Sequence, residues 1–211
     1  MQEAMRQEPY RFEFIGGDPC LDLVNTVGGV RPETPKEHLH GYADLVAWAR
    51  QGELVTPGQA RALLLRAQRE PAAADAALAA AVELREALFD IFFALTEGRR
   101  PPPQQLEVLN RALAEALQHR RVVPAGRGFS LGWDDSDDLR RMLWPVALSA
   151  AELLAGEHGA PVKVCGMFEA GECGWLFLDE SRNGSRRWCT MKDCGNRAKA
   201  RRHYHKVKKL S

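Results

Sequence analysis

The stretch that decides the C-terminal fold is Cys173-Gly-Trp-Leu-Phe-Leu-Asp-Glu-Ser-Arg-Asn-Gly-Ser-Arg-Arg-Trp-Cys189, followed by Thr-Met-Lys-Asp-Cys194-Gly-Asn-Arg197-Ala-Lys-Ala-Arg-Arg. Together with Cys165, it contains four cysteines in the spacing C-x7-C, x15, C-x4-C. Glycine follows Cys165, Cys173 and Cys194, and its backbone freedom lets a tight loop turn paired thiolates onto one ion. The pattern predicts a zinc site held by Cys165, Cys173, Cys189 and Cys194.

Two other interpretations of these cysteines are weaker. Disulfide bonds need an oxidising compartment, and the chain begins without the pattern of a signal segment, so we expect a cytoplasmic protein. Unpaired core thiols favour apolar neighbours, whereas Glu172, Arg187, Lys192 and Asp193 flank these ones. A closed site of four thiolates leaves no position for a catalytic water, so we expect one zinc ion with a structural role.

The net charge of +1 conceals a strong asymmetry along the chain. Residues 181–211 contain 11 Lys/Arg and 1 Asp/Glu, whereas a helix that is merely soluble usually mixes signs. This favours binding to a polyanion over the alternative, a solvated charged face. We expect Arg186 and Arg187 to contact base edges and the helical cations to contact phosphates. The candidate nucleic-acid-binding residues are Arg182, Arg186, Arg187, Arg197, Lys199, Arg201, Arg202, Lys206, Lys208 and Lys209.

The first 160 residues carry mostly helical signals. Asp18-Pro19 and Thr56-Pro57 are typical helix starts, a capping residue followed by proline. The positions of the apolar residues predict further helices and one small hairpin. These helices cover residues 42–51, 72–97, 104–118 and 136–156, the last with a kink at Pro145, and the hairpin covers 121–133. The expected fold is mainly α, a helical bundle with a small β-hairpin.

A small zinc-binding finger of ββα type is expected after this bundle. Its strands are predicted over 162–165 and 174–179, and its basic helix from about Thr190. The helix has an apolar stripe of Ala200, Tyr204 and Val207, which we expect to pack on the zinc site. The domain division is therefore residues 1–160 for the helical part, with a sensing or dimerising role, and 161–211 for the finger.

One charged residue lies on the apolar face of the predicted central helix. Arg85 shares its stripe with Leu88 and Phe92, and a buried guanidinium requires an acceptor. Asp22 is the natural candidate, and Asn25 could supply a second acceptor. These residues form either a buried ion pair that fixes the first helix on the central one or a pocket for a small anionic effector.

The quoted C-terminal stretch resembles the CGNR zinc finger, a family named after the residues that stand here as Cys194, Gly195, Asn196 and Arg197. The run Cys20-Leu-Asp-Leu-Val-Asn-Thr26 is similar to the opening of the ABATE domain, which usually precedes this finger. The finger family usually has four residues between its first two cysteines, and this chain has seven. The resemblance covers nearly the whole chain and implies a bacterial transcription regulator, hypothesised to be induced by stress.

We therefore expect the protein to act by binding a partner. The chain carries no Gly-rich phosphate loop, nucleophile elbow or paired-carboxylate signature, so we do not expect an enzyme. No apolar run approaches the roughly 18 residues of a membrane span. The expected partner is DNA; the alternative is an RNA-binding or protein-docking module. Trp175 and Trp188 distinguish these classes. If they are exposed, they could stack on unpaired bases. If they are buried, which we favour, they form the core of the finger. A homodimer is a further hypothesis.

Overall fold

The computed structural model describes residues 10–156 and 159–208, without the side chains of 205–207. The helices are α1 (Pro19–Val24), α2 (Tyr42–Gln51), α3 (Pro57–Arg69), α4 (Pro71–Thr96), α5 (Pro103–Gln118), α6 (Leu143–Leu154) and α7 (Asn196–Lys208), the last preceded by a π-helical turn, Met191–Gly195. The strands are β1 (Val27–Gly28), β2 (Lys36–Glu37), β3 (Arg120–Ala125), β4 (Gly128–Trp133), β5 (Val162–Val164) and β6 (Leu176–Leu178). They pair as antiparallel hairpins, β1 with β2, β3 with β4, and β5 with β6.

Both helix starts predicted from capping residues are confirmed. The Asp18 carboxylate accepts a hydrogen bond from the backbone N–H of Cys20 at 2.9 Å, and Pro19 opens α1. Thr56 and Gln59 form a reciprocal capping box at the start of α3. Each cap satisfies backbone donors that have no partner within the helix.

The central helix of the bundle is α4, as its apolar sequence predicts. It packs against α1, α2, α3 and α5, and the core that they share is filled by large side chains such as Trp48, Phe92 and Trp144. Burial of one such side chain contributes about 1.5–3 kcal/mol. The prediction of a mainly α bundle with a small hairpin is confirmed.

The predicted helix over 136–156 is wrong at its start, since α6 begins only at Leu143. The Ser136 hydroxyl accepts from the backbone N–H of Asp138, whose carboxylate accepts from the N–H of Arg140. Such local bonds compete with helix formation. Pro145 consequently lies in the first turn of α6, where proline is tolerated, and the predicted kink has no basis.

The hairpin of β3 and β4 extends from the bundle with an apolar face in solvent. Val122 pairs with Leu131 and Pro124 with Phe129, so these side chains share one face. Val122, Phe129 and Leu131 are 69%, 77% and 62% exposed. At the base of the hairpin, Trp133 packs beside Trp144 with ring centroids 6.0 Å apart.

The β5–β6 hairpin of the finger packs directly on the bundle. Leu176 and Leu178 are buried in the main hydrophobic core with residues of α1 and α4. The amide of Asn25 donates to the carbonyl of Leu176 at 2.8 Å and accepts from its N–H at 2.9 Å. Phe168 contacts Phe93 of α4 at a centroid distance of 4.9 Å. The division at residue 160 stays a prediction, but the two parts share one core.

Candidate metal centre and nucleic-acid interface

The four cysteine sulfurs of the finger converge on one point. Their Sγ atoms all lie within 4.8 Å of one another, and the residues are buried. The Sγ atoms of Cys173 and Cys189 are 3.7 Å apart, and those of Cys189 and Cys194 are 3.5 Å apart. A zinc ion bound to four thiolates at about 2.3 Å with tetrahedral angles separates the sulfurs by about 3.8 Å. The cluster therefore fits one zinc ion, and all of these cysteines are free of disulfides.

The four cysteines come from separate segments of the chain, which the backbone brings together. Cys165 follows β5, and the N–H of Gly166 donates to the carbonyl of Arg187 at 2.7 Å, which joins the first cysteine to the segment before Cys189. A Cβ at Gly166 would lie 2.8 Å from that carbonyl oxygen, so only glycine fits without rearrangement. The seven residues after Cys165 fold into a compact turn, and Cys165 remains in the cluster. His158, a histidine a few residues before Cys165 that could also bind a metal, lies outside the described residues.

The four sulfurs lie so close together that each thiol affects the ionisation of the others. Hydrogen bonds from Cys173, Cys189 and Cys194 lower the pKa of Cys165. Hydrogen bonding with Cys165 raises the pKa of Cys189. One thiolate thus opposes ionisation of its neighbour, and four thiolates together require a cation that offsets their charge.

Arg197 supports the cluster from the start of α7. Its guanidinium donates to the Cys194 sulfur at 3.1 Å and forms ion pairs with Glu172 at 3.1 Å and Asp193 at 3.2 Å. A donor to a metal-binding sulfur orients that ligand and disperses its charge. Arg197, expected to contact phosphate, is thus already engaged beside the metal ligand.

Arg186 does not fit the prediction that it reads base edges. Its guanidinium donates to the carbonyls of Ile15, Leu178, Trp188 and Cys189. Its Cζ lies 4.2 Å from the centroid of the Phe177 ring. The side chain is satisfied inside the protein and ties the finger to the segment before α1. This role was missed because backbone carbonyls leave no mark in sequence.

The loop between β6 and Cys189 is shaped by the buried carboxylate of Asp179. This carboxylate accepts from the Lys163 ammonium at 2.5 Å, from the N–H of Ser181 at 3.1 Å and from the N–H of Arg186 at 3.1 Å. The Lys163 bond, followed by those from Ser181, lowers the pKa of Asp179 to about 2. The carboxylate therefore stays ionised and holds the loop that presents Arg182.

The remaining candidate cations differ in their partners. Arg201 forms an ion pair with Glu172 at 2.7 Å. Arg182, Arg187, Lys199 and Arg202 are exposed, and none of them forms an ion pair with a described residue. Lys208 is exposed at the end of the described chain, the side chain of Lys206 is outside the description, and Lys209 lies beyond it.

The helix α7 does not pack as its apolar stripe predicts. Ala200 and Tyr204 are exposed, the side chain of Val207 lies outside the description, and Ala198 packs against the cysteine cluster instead. Trp175 and Trp188 are half-buried against the same cluster, and the Trp175 indole donates to the carbonyl of Val27 at 2.9 Å. The tryptophans therefore belong to the core of the finger, as expected.

Comparison with family models assigns both parts of the chain. Residues 17–157 match the ABATE model, whose description is "Putative stress-induced transcription regulator". The chain belongs to the ABATE family. Residues 162–207 match the CGNR zinc finger, and with the sulfur geometry this establishes one structural zinc ion on Cys165, Cys173, Cys189 and Cys194. A search of curated proteins finds no match. Within the described parts of the chain, no helix is long and apolar enough to cross a bilayer.

In the ABATE domain, Arg85 is buried as predicted, but its partner is different. The Arg85 guanidinium binds both carboxylate oxygens of Glu37, at 2.7 and 2.8 Å, and donates to Glu86 at 2.7 Å. Burial alone would raise the pKa of Glu37, but hydrogen bonds, chiefly from Arg85, bring it below its usual range. Glu37 could not be identified from sequence, because it lies in a two-residue strand that is too short to show a periodicity.

Asp22 and Asn25 therefore do not form the expected site with Arg85. The Asp22 carboxylate accepts from the N–H of Gly16 at 2.8 Å, and burial raises its pKa to about 6. Asn25 is bonded to Leu176 of the finger. The predicted pair with Asp22 is wrong, because the donors of Arg85 are taken up by the two glutamates and by Thr26. The binding of a small anionic effector stays a prediction.

Proposed function

We propose that this protein is a cytoplasmic transcription regulator that binds DNA through the exposed cations of its zinc finger. The observation that carries the proposal is the set of Arg182, Arg187, Lys199 and Arg202, which are exposed and unpaired within the described chain. Cations without an acidic partner are free to replace counterions on a polyanion. The role is one of binding, with no catalytic step.

The two sides of α7 support different tasks. At about 100° per residue, Lys199 and Arg202 lie on the side opposite to Arg197 and Arg201. The second side is held by Glu172, which pairs with both arginines. The side with Lys199 and Arg202 faces solvent. We assign this side to contact with the phosphate backbone.

Base contact falls to Arg187 in this proposal, since Arg186 is satisfied internally. Arg187 is exposed at the end of the loop that precedes Cys189, and its Cζ lies 5.5 Å from the Trp188 ring centroid. A guanidinium that binds guanine through two hydrogen bonds is the commonest specific contact to DNA. Zinc fixes the cysteine beside this loop, so we expect loss of the metal to disrupt binding.

The test is fluorescence anisotropy with a labelled duplex of mixed sequence and the zinc-loaded protein. Lys199→Ala with Arg202→Ala should weaken binding about tenfold or more, because each lost phosphate contact removes a counterion-release contribution. The matched control is Arg61→Ala with Arg100→Ala, which removes two exposed arginines from the helical domain. Equal loss of affinity in both double variants would show only a net-charge effect and would contradict the assignment.

A single-stranded RNA partner is the second candidate. One observation favours it: a groove of about 350 Å³ beside the zinc site is lined by Arg187, Trp188 and Met191. An aromatic ring next to a cation is typical of sites that hold an unpaired base. Tighter binding to single-stranded RNA than to the duplex, lost in Trp188→Ala with zinc retained, would establish this class in place of DNA.

The homodimer expected from sequence is also part of the proposal, and we assign it to the β3–β4 hairpin. Its exposed apolar face carries Val122, Phe129 and Leu131, and an isolated two-stranded hairpin is marginally stable in water. A second copy can cover that face with its own by twofold symmetry. Light scattering should show a dimer that Phe129→Ser converts to a monomer; a parent protein that is monomeric at high concentration would contradict this.

A further inference from the structure

One carboxylate neutralises the side of α7 that lies opposite to Lys199 and Arg202. The two oxygens of Glu172 divide between two arginines, since Oε2 lies 3.1 Å from the Arg197 guanidinium and Oε1 lies 2.7 Å from that of Arg201. Residues four apart in sequence are neighbours on one face of a helix. A phosphate that bound both arginines would need the position that this carboxylate already occupies.

The chain anchors Glu172 on two sides. Its N–H donates to the carbonyl of Met167 at 3.2 Å, within the turn that joins the first two cysteines. Met167 is buried with the cysteine cluster, and Phe168 of the same turn contacts Phe93 of α4 at a centroid distance of 4.9 Å. The residue after Glu172 is the zinc ligand Cys173. The metal site and the bundle therefore both hold the segment that places this carboxylate beside α7.

The two arginines depend on Glu172 to different degrees. Arg197 also binds Asp193 at 3.2 Å and the Cys194 sulfur at 3.1 Å, so it keeps two partners without Glu172. Arg201 has one acceptor among the described residues, Glu172, and its side chain is 48% exposed. Loss of the Glu172 charge would consequently release one cation, Arg201.

We infer that Glu172 is a specificity-determining residue: it withholds Arg201 from phosphates and so limits the affinity of the finger for nucleic acid of any sequence. The inference rests on the proposed function, because it concerns the same surface. Phosphate contacts strengthen binding to every sequence, so neutralising a cation inside the protein weakens sequence-independent binding. A half-exposed ion pair contributes little to the stability of a fold, and the effect of this pair lies in binding.

The experiment compares Glu172→Gln with Glu169→Gln in the full zinc-loaded protein. Both changes remove one negative charge from the same turn, but Glu169 is exposed and forms no ion pair with a described residue. Anisotropy is measured on two labelled duplexes of unrelated sequence over a range of salt concentrations. Glu172→Gln should bind both duplexes about three- to tenfold more tightly at about 0.1 M salt, with a log–log slope more negative by about 0.9, the value for one added phosphate contact. Glu169→Gln should keep the parent slope.

Arg201→Ala distinguishes the release of this arginine from a simple loss of repulsion. The gain from Glu172→Gln should disappear when Arg201→Ala is added, whereas a gain from reduced repulsion would persist. Arg201→Ala alone should keep the parent slope, because Arg201 contacts no phosphate in the parent protein. Arg202→Ala, one residue along the helix, should make the slope shallower by about 0.9. This second comparison leaves the residue beside Cys173 unchanged, so it is independent of any effect of Glu172→Gln on zinc.

Elution from a heparin column provides a measurement that needs no DNA. Glu172→Gln should elute at a higher salt concentration than both the parent protein and Glu169→Gln. This order on heparin without binding to either duplex would refute DNA as the partner and would support the role of Glu172. Equal elution of the two glutamine variants, a gain that persists with Arg201→Ala, or equal losses in Arg201→Ala and Arg202→Ala would overturn the inference.

Discussion

Asn25 is expected to couple the bundle to the finger, and Asn25→Ala tests this directly. The side chain is 4% exposed and satisfies both the N–H and the carbonyl of Leu176, at 2.9 and 2.8 Å. Truncation leaves two buried backbone groups unpaired, and each such group costs about 1–3 kcal/mol. The free energy of unfolding should therefore fall by about 2–5 kcal/mol.

The assay is urea denaturation of the zinc-loaded protein, combined with amide hydrogen exchange. Amide exchange should become faster in β5 and β6 than in α5. The reason is that Leu176 of β6 is bonded to Asn25 at the end of α1. The control is Asn110→Ala, an exposed asparagine on α5, which should change stability by less than about 0.5 kcal/mol. If Asn25→Ala loses less than about 1 kcal/mol, or if its effect on exchange is uniform, the coupling is refuted.

Three further predictions concern buried charges and the finger. Arg85→Ala should lower stability by about 3–5 kcal/mol, because it strands Glu37, whereas Glu37→Gln keeps an acceptor and should cost less; a parent-like melting temperature for Arg85→Ala would contradict the pair. Burial raises the pKa of Asp22 to about 6, so between about pH 4 and pH 6 the native state keeps a proton that the unfolded state has lost, and stability falls as pH rises. Asp22→Asn should accordingly stabilise the protein by about 1 kcal/mol at pH 7 and not at pH 4, and parallel pH profiles of the two proteins would exclude this. Arg186→Ala should speed zinc release to a chelator, while Arg187→Ala should leave zinc retention unchanged and weaken DNA binding; the reverse pattern would show that their roles are exchanged.

The zinc ligands could be predicted from sequence because their chemistry is carried by residue type. Four cysteines with no competing partners converge on one metal, and the length of the insertion after Cys165 affects the connecting turn without removing the ligand. The helix starts were predictable for the same reason, since Asp18 and Thr56 act on neighbouring residues. An interaction between residues of fixed type that are close in sequence, such as a helix cap, can be predicted from sequence alone.

The hydrogen-bond partners of residues that are distant in sequence could not be predicted in this way. Arg85 requires an acceptor, but the choice of Glu37 over Asp22 depends on how the segment between α1 and α2 folds back on α4. Arg186 looks like any other arginine of a basic tail, although its partners are backbone carbonyls.

The salt dependence of duplex binding is the measurement that shows whether the exposed cations of the finger bind DNA. If Arg182, Lys199 and Arg202 contact phosphates while Arg187 contacts a base, the logarithm of the binding constant should fall with the logarithm of salt concentration with a slope of about −2.7. Removal of Lys199 and Arg202 should bring that slope to about −0.9. A slope near zero, or no binding of the zinc-loaded protein to duplex DNA at low salt, would contradict the claim that this finger binds DNA.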